Sequence, residues 1–198
     1  MSAFLTLDSL SLETPDRRPL ISNLSLAVGA ERIGLVGRNG SGKSTLLRAL
    51  AGEIAPGSGK IVRSGKVAML RQIPAAVSAT LSSALGGESP LARLRRIEVG
   101  KLREGDLDKA DWGLEARIET ALAEAGLPAL ALDRQLGSLS GGEQTRLALA
   151  AVLLQEPDLI LLDEPTNNLD GARRAAIGRL IARWRGGAIV ASHDRALL

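Results

Sequence analysis

The 198-residue sequence contains no cysteine, and only 2% of its residues are aromatic. Without cysteine there is no disulfide, no thiolate metal site and no cysteine nucleophile. With so few rings the core must be aliphatic, and the 45% share of hydrophobic residues is enough to build one, which excludes general disorder. No apolar run approaches the roughly 20 residues that span a bilayer. The start, Met1-Ser2-Ala3-Phe4, has neither the basic n-region nor the apolar run of a signal peptide. These absences predict a soluble, cytoplasmic chain of a size for one compact domain with two lobes.

Net charge is only +3, but it is unevenly spread. From Gly171 to Leu198 there are six arginines and one acid, whereas Gly141 to Asp170 holds six acids and only Arg146 as a base. The basic stretch reads as a solvated helix face, with contact to RNA or another phosphate-rich surface as the alternative.

Along the chain, β-like runs at Phe4–Leu7, Leu10–Leu12 and Leu24–Val28 come first. Arg32–Val36 reads as a buried strand that ends at a glycine-rich turn, and Ser44–Ala51 as a helix closed near Gly52. Lys60–Arg63 and Lys66–Leu70 read as a hairpin around Ser64-Gly65. A helical stretch covers Thr80–Ala125 with glycine and proline interruptions, in which Leu91, Leu94, Ile97 and Leu102 keep near-helical spacing and Trp112 reads as a core residue, with a contact as the alternative. Ser140–Gln155 and Gly171–Trp184 read as helices, and Leu159–Leu162 and Ala188–Ala191 as fully apolar strands. Strands separated by helices argue for an α/β fold with a mostly parallel sheet. Residues 1–75 and 156–198 are expected to form the core with its β part, and residues 76–155 an inserted helical lobe carrying a further helix start at Ser140.

Gly37-Arg38-Asn39-Gly40-Ser41-Gly42-Lys43-Ser44-Thr45 fits G-x-x-x-x-G-K-[ST] at every fixed position, between an apolar strand and a helix. Gly37, Gly40 and Gly42 lack Cβ atoms, so the backbone can curl with its N–H groups pointing inward, where they and the helix N-terminus favour a polyphosphate. Lys43 is suited to the β- and γ-phosphates, the Ser44 hydroxyl to Mg²⁺, and Thr45 to the α-phosphate side. The alternative is a glycine-rich turn without a ligand, which the strand–loop–helix setting disfavours.

Leu159-Ile-Leu-Leu-Asp163-Glu164 is an apolar strand ending in two acids. Ligands bind at the carboxyl edge of strands in open α/β sheets. Asp163 is suited to hold Mg²⁺, and Glu164 to polarise an attacking water as general base. Taken alone, the pair fits equally well the start of a surface turn before Pro165.

Leu139-Ser140-Gly141-Gly142-Glu143-Gln144 opens an amphipathic helix. A capping box accounts for Ser140 and Glu143. It does not account for the two glycines, each of which costs about 1 kcal/mol against alanine, so close approach of a phosphate is expected there.

A P-loop, a Leu-Ser-Gly-Gly helix start and a later Asp-Glu pair, in this order, resemble the nucleotide-binding domain of an ABC ATPase. The resemblance covers nearly the whole chain. It implies ATP hydrolysis with Mg²⁺, matches Gln72 to the family's Q-loop glutamine at the metal and water, His193 to the switch histidine at the γ-phosphate, and Asn168-Leu169-Asp170 to the D-loop. It also implies that Ser140, Gly141, Gly142 and Glu143 act in trans on the nucleotide of a second ABC domain, supplied by a longer chain or a homodimer.

Within the family, the spellings Asp163-Glu-Pro-Thr-Asn-Asn-Leu-Asp170, Leu139-Ser-Gly-Gly-Glu-Gln-Thr-Arg-Leu-Ala148 and Ser192-His-Asp-Arg195 are most similar to the N-terminal ATPase domain of the ABC-F class, soluble proteins many of which act on ribosomes. The resemblance then implies a ribosomal partner, a translation-factor role and a chain truncated at its C-terminus. The alternative is the ATPase subunit of a membrane transporter, with a permease as partner. One departure stands out. The family places an aromatic residue before the P-loop to stack on adenine, and Glu13-Thr-Pro-Asp-Arg-Arg-Pro19 has none. Either Arg17 or Pro15 covers the base, or base selectivity is loose.

Overall fold

The computed structural model describes residues 3–14, 16–38, 40–70, 79–86, 88–127, 131–165, 177–178, 181–182 and 184–192. The chain divides into two compact units, one of Met1–Arg71 with Glu156–Leu198, the other of Gln72–Gln155.

The first unit carries two sheets. In one, β1 (Leu5–Glu13) lies between β2 (Pro19–Val28) and β4 (Ser58–Arg63), antiparallel to both. The two apolar runs expected at Phe4–Leu7 and Leu10–Leu12 are one continuous strand. Leu5 and Leu7 are buried, and so are Leu10 and Leu12, on the opposite parity. Side chains alternate faces along a strand. The parity change therefore requires one extra residue, and the ladder shifts register between Leu7 and Leu10 around Ser9, which takes a left-handed φ of 50°.

The other sheet is fully parallel, in the order β3 (Arg32–Leu35), β7 (Gly187–Ala191), β6 (Leu159–Asp163) and β5 (Val67–Leu70). The two central strands are buried from Leu159 to Leu162 and from Gly187 to Ala191, as their unbroken apolar spelling requires of strands covered on both faces. Helix α1 (Lys43–Ala51) packs Leu46, Leu47, Ala49 and Leu50 into the same core as Leu159, Leu161 and Ile189. Its C-terminal carbonyls, those of Ala49 and Leu50, accept from the Arg63 guanidinium at 2.6 and 2.8 Å, and Gly52 closes it in the left-handed region.

The hairpin expected at Ser64-Gly65 does not form. β4 pairs with β1, and β5 pairs with β6 in the other sheet. Ser64 and Gly65 both donate to the Phe4 carbonyl, at 2.9 and 3.0 Å, and the Lys66 N–H donates to Asp158 Oδ2 at 2.8 Å. These bonds transfer the chain from one sheet to the next. The apolar Val67-Ala-Met-Leu70 run gains more by lying against β6 than by turning back on the solvated β4.

The second unit is helical: α2 (Leu81–Ala84), α3 (Glu88–Glu98), α4 (Leu114–Glu124), a 3-10 turn (Leu136–Ser138) and α5 (Gly141–Leu153). Leu81, Leu91, Leu94, Ile118, Leu122 and Leu147 are buried. The helical spacing does not continue past α3. Leu102 is 54% exposed and Trp112 66% exposed, so Trp112 is not a core residue. Residues 99–113 follow a non-helical path fixed by Asp106, only 4% exposed, which accepts from Arg96 at 2.8 and 3.2 Å and from the Arg103 N–H at 3.0 Å. Among the described residues, no helix is long and apolar enough to cross a membrane.

Candidate nucleotide site

The parallel sheet lines up its strand ends. Leu35 pairs with Ala191, and Ala191 with Asp163, so the chain leaves β3, β7 and β6 at one level of the same edge. The loop Gly37–Gly42 follows the first of these ends, Ser192 the second and Glu164 the third. Ser192 is buried and its N–H donates to the Leu35 carbonyl at 3.4 Å, while the Glu164 N–H donates to the Ala191 carbonyl at 2.8 Å. β5 ends at Leu70, paired with Leu162.

The loop is shaped for its turn into α1. Gly42 is the N-cap at φ 92°, a left-handed conformation that a side chain strains, and it offers no capping side chain. A Cβ there would also lie 3.1 Å from Leu20 Cβ. Leu20 is the extra residue of the last of three register shifts in this ladder, since Leu12 pairs with Ile21 but Glu13 with Pro19. That bulge turns Leu20 away from the core and onto the loop. The Lys43 ammonium donates to the carbonyls of Gly37 and Arg38 at 2.8 and 3.2 Å, closing the loop across its base. Without a cap, the first-turn N–H groups have no partner within the helix, and a bound anion is suited to take them.

Asp163 Oδ1 is buried and has no hydrogen-bond partner among the described residues. A buried carboxylate oxygen without a partner carries its full desolvation cost, which a cation at the sheet edge would relieve. Glu164 leaves the strand at φ 44°, an uncommon conformation for a residue other than glycine. The residues present therefore fit a divalent cation next to the loop. Among the described residues no cluster of three or more acids or histidines forms a cage for a metal, so the cation's remaining ligands would come from a substrate and water.

In the helical unit, Ser140 caps α5. Its hydroxyl accepts from the Glu143 N–H at 3.3 Å, and Glu143 Oε2 accepts from the Ser140 N–H at 2.7 Å. Hydrogen bonds from Ser140 hold the Glu143 carboxyl below its usual range. Gly142 is buried. Gly141 is exposed, and a Cβ there would meet no atom within 4 Å, so nothing described in the chain requires glycine at that position. Gln72, Asn39, His193 and the Asn168–Asp170 stretch lie outside the described residues. The sequence reading missed Leu20. The signal available was the pair of adjacent apolar residues, Leu20-Ile21, where the strand's alternation breaks.

The ABC transporter family model matches residues 21–167. The chain belongs to the ABC ATPase family. As an ABC domain it is a nucleotide-binding module with the P-loop NTPase fold of the family. It is 40% identical to the tylosin resistance ATP-binding protein TlrC of Streptomyces fradiae over 92% of this chain and 38% of TlrC. It is 35% identical to the energy-dependent translational throttle protein EttA of Mycobacterium tuberculosis over 88% of this chain and 35% of EttA. It is also 38% identical to the biotin transport ATP-binding protein BioM of Rhizobium etli, over 91% of this chain and 80% of BioM. The ABC domain thus spans little more than a third of TlrC and EttA but most of BioM. Among solved structures, a dimeric ATP-binding cassette in a post-hydrolysis state, bound to ADP and Pi, superposes with a TM-score of 0.74 at 23% identity, over 98% of this chain and 89% of that one. That likeness concerns the fold.

Proposed function

We propose that this ABC domain hydrolyses ATP and serves an ABC-F-like protein that works on the ribosome. The observation that carries the hydrolytic part is the Asp163 carboxylate, ending β6 in register with the strand that feeds the P-loop and holding a buried oxygen without a partner among the described residues. Lys43 and the loop amides of Gly37, Arg38, Asn39, Gly40, Ser41, Gly42, Ser44 and Thr45 bind the phosphates. Ser44, Asp163 and Gln72 hold Mg²⁺, which when bound neutralises phosphate charge. Glu164 takes the proton of the attacking water, and His193 contacts the γ-phosphate.

The second half of the site comes from another ABC domain, whose Ser140, Gly141, Gly142 and Glu143 close over the phosphates. The open space over Gly141 supports this, because it leaves room for close approach from outside the chain. Such closure excludes water and completes the donor set around the γ-phosphate.

The ribosomal part rests on the local spellings around Asp163, Ser140 and His193, and on the relatives named for tylosin resistance and translational throttling. BioM, matched over most of its length, supports a second reading, the ATPase subunit of a membrane transporter with a permease partner. Co-sedimentation separates them. The protein at its full encoded length, carrying Glu164→Gln and the equivalent substitution in any second ABC domain to keep binding and block turnover, should pellet with ribosomes in Mg-ATP and stay in solution in Mg-ADP. Absence from the pellet in both states would move the assignment to the transporter subunit.

A further inference from the structure

Gly42 is held from outside the loop. Its carbonyl accepts the first hydrogen bond of α1, from the Leu46 N–H at 2.8 Å, while its backbone stands at φ 92°. The three atoms nearest to the place where a Cβ would sit all belong to Leu20, its Cβ at 3.1 Å and its Cδ1 and Cδ2 at 3.6 and 3.7 Å. Gly40 is left-handed too, at φ 80°, and the same space over it is empty out to 4 Å. The loop is thus braced at one of its two left-handed residues and open at the other. Leu20 is half-buried, and its burial serves the loop. Its neighbour Ile21 packs on the cluster that joins β1, α1 and the parallel sheet, and Leu20 is not among the described residues that do. A bulge has moved one apolar side chain off the core and set it against the N-cap of the phosphate-binding helix.

We propose that Leu20 is a positioning residue for the loop: it confines Gly42 to the left-handed conformation in which the chain enters α1 with its first-turn N–H groups facing the phosphates, so that the loop is formed before its ligand arrives. The proposal rests on the reading of the loop as a triphosphate site. Glycine has both signs of φ open to it. With nothing against that face, Gly42 would have to be ordered at the moment of binding, and the ordering would be subtracted from the affinity. Leu20 acts here through the backbone of Gly42 and not on a base, so every ligand that brings a triphosphate should register its loss.

Calorimetric titration of the 198-residue chain with Mg-ATP and with Mg-tripolyphosphate tests this. Leu20→Ala should lose about fivefold to thirtyfold in affinity, by the same factor for both ligands, the range set by fixing one residue's backbone. Leu20→Met, an apolar side chain of similar volume, should recover most of the loss. Ile21→Ala shows what a purely structural role looks like: it should lower the midpoint of denaturant unfolding and keep the wild-type affinity for both ligands in buffer. Unchanged affinity in Leu20→Ala, a loss confined to ATP, or an equal loss in Ile21→Ala would each overturn the proposal. So would a Leu20→Ala chain that shows no cooperative unfolding transition, since Leu20 would then belong to the core. A wild type that binds ATP but not tripolyphosphate has no preformed phosphate site and overturns it as well. If the wild type binds neither ligand, the reading of the loop falls too, so the two failures are distinguishable.

Discussion

In the α/β unit, β6 and β7 bury every residue from Leu159 to Leu162 and from Gly187 to Ala191. In the helical unit, the segment between α3 and α4 leaves Val99, Leu102, Leu107 and Trp112 exposed and is held from beneath by one buried carboxylate, Asp106. The first unit is kept together by aliphatic burial, which is strong and insensitive to pH. The second adds oriented ionic hydrogen bonds. Asp106 with Arg96, Asp111 with Arg117 and Glu143 with Ser140 all belong to it, and all three carboxyls are held below their ordinary range by these partners.

The comparison can be broken in three places. Leu161→Ala, at a site with no solvent exposure, should have the largest effect, about 2–5 kcal/mol of stability lost in denaturant unfolding; a loss below about 1 kcal/mol would mean that the parallel sheet is not the dominant core. Asp106→Asn should come next. It should raise amide exchange in residues 99–113 while leaving β6 and β7 protected. Because the folded Asp106 titrates below the ordinary carboxylate value near 4, its contribution is complete above that value and is lost as pH falls through the folded one. Acid should therefore loosen the helical unit first, and Asp106→Asn should flatten that dependence. Equal acid sensitivity of exchange in both units would remove the distinction. Trp112→Ser should matter least, within about 0.5 kcal/mol in a thermal melt, as for an exposed side chain; a larger loss would show that the ring packs against its own chain.

Much of this was legible in the sequence because period and burial coincide there. Leu159–Leu162 and Ala188–Ala191 read as buried strands and are buried strands, and the glycine-rich loop between Leu35 and Lys43 sits between a strand and a helix as its spelling demands. The failures occur where local pattern is silent about partners. Ser64-Gly65 has the residues of a hairpin turn, but pairing is decided by which neighbour buries more, and Asp158, remote in sequence, supplies the bond that redirects the chain. Leu102 and Trp112 are apolar letters, yet the path around them is set by a polar group, Asp106, whose burial no periodicity announces. The site was legible as motifs. What brings β3, β7 and β6 to one level is a parallel register between segments far apart in the chain, which only the structure displays.

That register has a consequence for the order of assembly. Arg32 pairs with Ala188, and Val67 with Leu159, so the strand leading to the P-loop acquires its neighbour only after more than 150 further residues of this domain have been made. During synthesis, β1, β2 and β4 can pair at once, since they lie close together in sequence and are antiparallel. β3 and β5 must wait, with unpaired edges, until the helical unit and then β6 and β7 have emerged. Formation of the phosphate-binding edge is therefore a late and slow event, as is general for pairings of high sequence separation. The interval before β7 arrives is when the nascent chain is most open to pairing with the wrong partner.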